Sequence, residues 1–496
     1  MAVKNLLYQI FRHVCSSFLH EKHYTKGNPD FVKNFQSCNK FHASCYNVKT
    51  TVMPPGIGMM TCKEGNCICM ELEKDDLRAL YNRSAENNLI DPSLYARYRV
   101  KQGLRNENGT GVKVGLTRIC DVVGYQMIHG HKHDTEGQLI YRGYTIDELV
   151  RRQKEAGTAM GYETTAFLLI FGHLPDEQEL QAFRTTLLHN IHTDFIAAKY
   201  PTSNLLNAMQ IEVLKMYAQD DNPDNDRLED RMVKGLSILA SLPLFVFSCH
   251  TSEKLTAYPL PDGSLAENIL YMDRQGGSFT AEEANVLDIL LMIHADHGGG
   301  NNSAFTDVVL TSTGTDIYSC ISAAMGSLKG PKHGGAANKM AQMYDAILEE
   351  TGITTDPAVL EDVCWRLLSK DFGDRSGLIY GIGHAIYTKS DPRARMIREA
   401  CRQLAAEKGE EEAFAMMEAL EQTACRVMKK AKGVQVCANV DFYSGFAYRM
   451  LGIEPELFVP LFAISRTAGW IAHHLENRQN NRKLIRPANI YVGERL

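Results

Sequence analysis

The sequence predicts an all-α protein with one minor β-hairpin near its N-terminus. Three observations lead there. After Thr145 one helical pattern follows another, with no alternation of strands and helices that would build a parallel sheet. Ala281 to His294 is apolar around most of its circumference (Val286, Leu287, Ile289, Leu290, Leu291, Ile293), the mark of a buried helix. Strand-like alternation is confined to residues 108–146. The chain of 496 residues, 44% hydrophobic and 23% charged, is ordinary for a globular protein and long enough for a large domain plus a smaller one. A net charge of −6 leaves no basic footprint for nucleic acid. No run of eighteen apolar residues occurs, so no membrane partner is expected.

Residues 1–69 differ from the rest. They hold Cys15, Cys38, Cys45, Cys62, Cys67 and Cys69, six of the thirteen cysteines, and sustain neither a helical nor a strand period. The spacing of Cys62, Cys67 and Cys69 is too irregular for a zinc site. A transit peptide would be rich in arginine, and Arg12 is alone here. The segment is expected to be disordered, or to precede a true start at Met70, since a helical pattern runs from Glu71 to Leu80. The other seven cysteines are scattered singly, as in a reducing compartment. The expected location is therefore cytoplasmic, or the mitochondrial matrix if residues 1–69 include a transit peptide.

Val112 to Thr117 alternates with the strand period, Ile119 to Gly124 follows, and Gly137 to Tyr144 could pair with it. Beyond Thr145 helices are expected after Pro175, at 281–294, from Asp316 to Leu328 (rich in small residues that allow close approach), from Ala337, from Asp391-Pro392, from Glu411 to Lys430, and from Leu457 to Glu476.

Several loops and helix ends carry unusual polar groups. Gly381-Ile382-Gly383-His384 precedes a helix start at Asp391-Pro392. Arg393 and Arg395 then fall in a first turn that the helix dipole already makes positive, which makes sense if an anion sits there. His294-Ala295-Asp296-His297-Gly298-Gly299-Gly300-Asn301 closes the buried helix; histidines three apart could share a metal, and the glycines could be a simple cap. His333, in Gly330-Pro331-Lys332-His333-Gly334-Gly335-Ala336, sits just before a helix, where imidazole is disposed to stay neutral and donate to an oxyanion. Asp441 opens another helix, as a cap or as an ionised base. Arg466 stands alone in an apolar helix and needs a partner if buried; Arg486 lies near the C-terminus before Pro487.

Taken in order and spacing, these stretches, with Val440-Asp441-Phe442-Tyr443-Ser444-Gly445, Ser465-Arg466 and Arg486-Pro487, resemble the citrate synthase family over about residues 71–496, with a flavour of its bacterial dimeric type. The resemblance implies a homodimer whose subunits have a large domain (70–334 and 452–496) and a small CoA-binding domain (335–451) that closes over the substrates, with residues 1–69 outside the family pattern. It implies condensation of acetyl-CoA with oxaloacetate to citrate and free CoA, without a metal or other cofactor. It assigns catalysis to His333, His384 and Asp441. Oxaloacetate falls to His297, Asn301, Arg393, Arg466 and Arg486, the last donated across the interface. CoA falls to Gly381, Ile382 and Gly383, with Lys389 as a substitute phosphate contact. Gly298 stands where many relatives have glutamate, Ala385 where many bacterial members have arginine, and Thr388 where a basic residue is usual. The rivals are a 2-methylcitrate synthase using propionyl-CoA, and a non-catalytic binding protein on the same fold.

Overall fold

The computed structural model describes residues 61–63, 66–68, 74–192, 204–251, 259–260, 262–480 and 483–493. They are mostly helical, as expected, with seventeen α-helices and a small antiparallel sheet. The chain divides into two compact units, Leu104–Asn489 and Met1–Gly103 with Ile490–Leu496. The described elements of the latter are a short hairpin, β1 (Thr61–Lys63) with β2 (Asn66–Ile68), and helices α1 (Lys74–Asn87) and α2 (Ser93–Arg97). Residues 1–60 and the Glu71 start of the expected helix lie outside the described residues.

In Leu104–Asn489, β3 (Cys120–Ile128) and β4 (His131–Tyr141) form a hairpin, and β5 (Tyr144–Thr145) adds a third strand. The expected pairing is present, with Cys120 opposite Tyr141 and Val122 opposite Leu139. Val112–Thr117 departs from expectation: it belongs to no strand. Its alternation has no burial behind it, since Leu116 is fully exposed, and a strand period without a ladder partner gives no sheet.

The helices start where side chains satisfy their free N–H groups. Thr280 and Glu283 form a capping box at α9 (Ala281–His294), and Asp176 with Glu179 does the same at α5 (Glu177–His189). Asp288, buried on α9, accepts the N–H groups of Gly161 and Tyr162 at 2.8 Å each, so it caps α4 (Gly161–Phe171) from a neighbouring helix. Removing such a cap costs about 1 kcal/mol. The rest of α9 is buried as its pattern predicts, against α4, α14 (Pro392–Lys408) and α17 (Pro455–Asn480).

Helix α7 (Leu228–His250) is long and apolar enough to cross a membrane by length and composition alone. Most of that face is buried, with Leu236 to Phe247 packed chiefly against α6 (Leu205–Gln219) and α17. The remaining site-bearing helices begin close to the expected places: α10 (Asn302–Thr311), α11 (Ile317–Leu328), α12 (Ala336–Thr351), α15 (Glu411–Lys432) and α16 (Val440–Met450).

Candidate active site

The C-terminal end of α9 runs into His297, half-buried, whose Nε2 is buried and has no hydrogen-bond partner among the described residues. Its ring lies 5.2 Å from that of His384, edge to face. Burial, with the charges of Arg393 and Arg466 nearby, holds His297 well below the usual imidazole range. The charges of His384 and His333 would act on it in the same sense, so five groups, His297, His333, His384, Arg393 and Arg466, share one centre. His294 lies on the other side of the turn. Its Nδ1 faces the Leu290 carbonyl at 2.8 Å and its ring packs on Phe462, so it is built into the helix and not paired with His297 as a ligand.

His384 hangs on a loop stitched to the start of α16. Gly383 N donates to Cys437 O, Asn439 N donates to Gly381 O, and Asn439 Nδ2 donates to Gly383 O. Gly381 has φ +77°, and a Cβ there would lie 2.8 Å from Phe442 Cα, so the glycine is needed for both conformation and approach. The N–H groups of Ile386 and Tyr387 both donate to His384 Nδ1, at 3.1 and 3.2 Å. Burial and Arg393 lower this histidine to about 4, so it is neutral near pH 7. A neutral ring whose Nδ1 accepts carries its proton on Nε2, which makes Nε2 a donor.

His333 is likewise lowered to about 4, by burial and by Arg466. Its Nε2 lies 3.0 Å from Ser303 Oγ. That hydroxyl accepts from Trp470 Nε1 and has two places for its single proton, Asn301 Oδ1 at 2.9 Å or His333 Nε2. Directed at His333, it leaves the ring proton on Nδ1, free to donate. Asn301 caps α10 through Ala304 N and donates to Gly298 O.

Asp441 is not the cap of α16. Asn439 is, with its Oδ1 accepting from Asp441 N at 3.0 Å. The Asp441 carboxyl has no hydrogen bond among the described residues. Nor does its position hold it low, as the helix start suggested: burial pushes it up to about 6 despite Arg393. It remains mostly ionised at pH 7.

Arg393 is buried, and its fork closes on Asp391, Nε to Oδ1 at 3.0 Å and Nη2 to Oδ2 at 2.7 Å. The anion at this helix start is thus partly the chain's own carboxylate, which also caps α14 by accepting from Arg393 N. Arg395 instead reaches Asp147 at the surface. Arg466 is buried in α17, donates Nε to His294 O at 2.6 Å, and lies over the Phe462 ring. Burial lowers its basicity, partly offset by Asp296. Asp296 pairs with His473 at 3.1 Å; burial works against this carboxylate's charge, yet His473 and Arg466 hold it at about 2.

Two expected residues do not join this centre within the chain. Arg486 is exposed on an extended tail, and Lys389 is exposed on the far end of the His384 loop. Ser303, Asn439, Tyr387 and Asp296 do join it and were not singled out from sequence. The Asn-x-Asp spacing ahead of α16 is the one signal that could have found Asn439 as the cap. Among the described residues, Asp307, Cys320 and His474 also cluster. There Arg231 donates to His474 Nε2, and His474 Nδ1 lies 2.9 Å from Thr311 Oγ1 and 3.8 Å from Asp307 Oδ1.

Residues 106–488 match the family model described as citrate synthase, C-terminal domain. The citrate synthase of Haloferax volcanii is 35% identical over 373 residues, 72% of this chain and 90% of that protein. The 2-methylcitrate synthase of Shewanella oneidensis is 31% identical over 369 residues, 72% of this chain and 88% of that protein. The ternary complex of carboxymethyl coenzyme A and oxaloacetate with citrate synthase from Thermoplasma acidophilum superposes with TM-score 0.65 at 26% identity, covering 80% of this chain and 97% of that one. With its fold, its polar centre and these relatives in agreement, the chain belongs to the citrate synthase family.

Proposed function

We propose that this family condensation enzyme joins acetyl-CoA to oxaloacetate and hydrolyses the resulting thioester, giving citrate and CoA. The observation that carries the reading is the half-buried Asp441 carboxyl, without a hydrogen bond among the described residues, beside the same Arg393 and Arg466 as the two neutral imidazoles. A binding protein has no need of a base facing two oxyanion donors.

The methyl hydrogen of a thioester is a far weaker acid than a carboxylic acid, so a carboxylate can remove it only if the enolate oxygen is stabilised as it forms. Asp441 takes that proton, and His333 donates from Nδ1 to the enol oxygen. The enol carbon attacks the oxaloacetate carbonyl carbon, and His384 donates from Nε2 to the alkoxide. Water then cleaves the thioester, releasing CoA. Oxaloacetate brings two carboxylates, which guanidinium groups bind as forks. Arg393 and Arg466 serve one chain's site together with His297 and Asn301, and Arg486 of a second copy completes it in a homodimer. Gly381, Ile382, Gly383 and Lys389 meet CoA. The segment 335–451 moves as a small domain against the rest, and residues 1–69 lie outside the enzyme. The unpaired cysteines, Cys120 to Cys437, support a cytoplasmic location.

The likeness to a 2-methylcitrate synthase favours propionyl-CoA as the alternative acyl donor, and one methylene is worth only about 1–3 kcal/mol in a pocket. Thiol release from acetyl-CoA and from propionyl-CoA, each with and without oxaloacetate, tests both. Release that depends on oxaloacetate and is faster with acetyl-CoA is expected. A faster reaction with propionyl-CoA selects the alternative, and no release with either removes the enzyme reading.

A further inference from the structure

We infer that the β3–β4 hairpin is a brace for the His384 loop, with Ser390 and Tyr387 as positioning residues that aim His384 in the condensation proposed above. The hairpin meets the loop backbone to backbone. Gly124 sits where the β3–β4 register breaks between Val123 and Tyr125, and a Cβ there would lie 2.4 Å from Ile386 O. At Gly137 a Cβ would lie 2.1 Å from Ser390 O and 2.7 Å from Tyr387 Cδ1. Only a strand without side chains at those two points fits against residues 386–390.

Polar bonds fix the contact. Ser390 Oγ accepts from Gly137 N at 3.1 Å and donates to Glu136. Tyr387 Oη donates to Gln138 O at 3.3 Å. Tyr387 then holds the histidine in two ways. Its ring stacks on His384, centroids 4.8 Å apart and planes 27° apart, and its N–H donates to His384 Nδ1. The direction of the Nε2 proton is therefore set through Tyr387 by the hairpin. In the proposed condensation the Nε2 proton must meet the developing oxyanion, so a small tilt of the brace displaces the donor from it. Misplacement of about 1 Å can cost as much as a hundredfold in rate.

The test uses the full chain with Ser390→Ala, Ser390→Thr and Glu136→Ala. Two readouts are taken: amide exchange of residues 383–391, and kcat and KM with oxaloacetate and the acyl-CoA that the wild type turns over. For Ser390→Ala, kcat is expected to fall about tenfold or more with KM for oxaloacetate moving less than about threefold, since the arginines stay. Exchange over 383–391 is expected to rise about tenfold while α9 stays protected. Ser390→Thr restores the hydroxyl and should restore both. Glu136 is exposed, so Glu136→Ala folds even if Ser390→Ala does not, and it should move both readouts the same way. Unchanged exchange in the alanine variants overturns the brace. So does a loss of kcat that threonine does not rescue. If the wild type turns over no acyl-CoA, the proposed condensation fails, while the exchange measurement still decides whether the hairpin holds the loop.

Discussion

Arg466 and Arg486 lie on the same last stretch of chain in opposite surroundings. Arg466 is walled into α17, tied to the His294 carbonyl and stacked on Phe462. Arg486 is exposed on a tail without helix or strand, joined to the body near Ser312 through Ile485 N. Burying a cation is costly unless carbonyls and carboxylates surround it, and the end of α9 supplies those within the chain, through the His294 carbonyl and Asp296. Arg486, in contrast, is exposed to water in the single chain. The contrast separates the groups one chain gathers, Asp441, His333, His384, Arg393 and Arg466, from an arginine at its edge.

The largest expected effect falls on the gathered groups. Asp441→Ala should lower condensation by about 10³-fold, within the usual range for a lost general base. Oxaloacetate binding, measured by calorimetry, should change little, because Arg393, Arg466 and His297 remain. A loss of binding that matches the loss of rate would make Asp441 a structural residue, although Asn439 already supplies the cap of α16.

The edge gives the next effect. If Arg486 completes a neighbour's site, Asp441→Ala and Arg486→Leu are each nearly inactive alone. In a mixed dimer one site receives both defects and the other receives neither. Random pairing makes about half the dimers mixed, so the mixture should recover roughly a quarter of wild-type activity, and purified doubly tagged dimers roughly half. Dead mixed dimers would show that the tail does not serve the second site in this way.

Within the centre, Arg393→Lys should weaken oxaloacetate by more than about tenfold, or about 1.4 kcal/mol, because lysine keeps the charge and loses the fork held by Asp391. An unchanged KM for oxaloacetate would take Arg393 out of the site. This residue marks a limit of reading the sequence. The pattern put a cation at a helix start and called for an anion, and the helix start was right. The partner turned out to be Asp391, two residues back, in a buried fork that no spacing rule foretells. Helices such as α9 and α14 were legible because burial writes a period and caps write a residue type. The strand at Val112–Thr117 was misread because a period records alternation and says nothing about a partner. Ser303 was silent for a similar reason: a serine beside a histidine and a tryptophan in space has no signature in sequence.

A milder effect comes from pH. Asp441 must be ionised to act, and burial raises its carboxyl to about 6. His333 and His384, lowered to about 4, stay neutral across the same interval. The rate with saturating oxaloacetate should therefore be level above pH 7 and fall by about tenfold per unit well below pH 6, on one ionisation. Asp441→Glu should move that limb and leave the histidines alone. A limb that stays put in Asp441→Glu would assign the ionisation to another group.

The smallest effect is expected from the largest change in covalent structure. Every buried hydrophobic residue among the described ones lies at Ile119 or beyond, and α2 buries nothing. The groups proposed for the site lie at His297 or beyond as well. Deleting residues 1–69 therefore removes no described core side chain and no described ligand contact. Truncation at a point without buried backbone or side chains is tolerated, because no packing energy is lost with it. The shortened chain should keep kcat within about twofold, with a melting temperature close to that of the full chain. The comparison breaks if the truncated protein is insoluble or loses most of its turnover. That outcome would mean that residues 1–69 cover the exposed apolar side chains nearest them in sequence, such as Tyr81, Leu89 and Ile90, and that the enzyme begins well before the family pattern does.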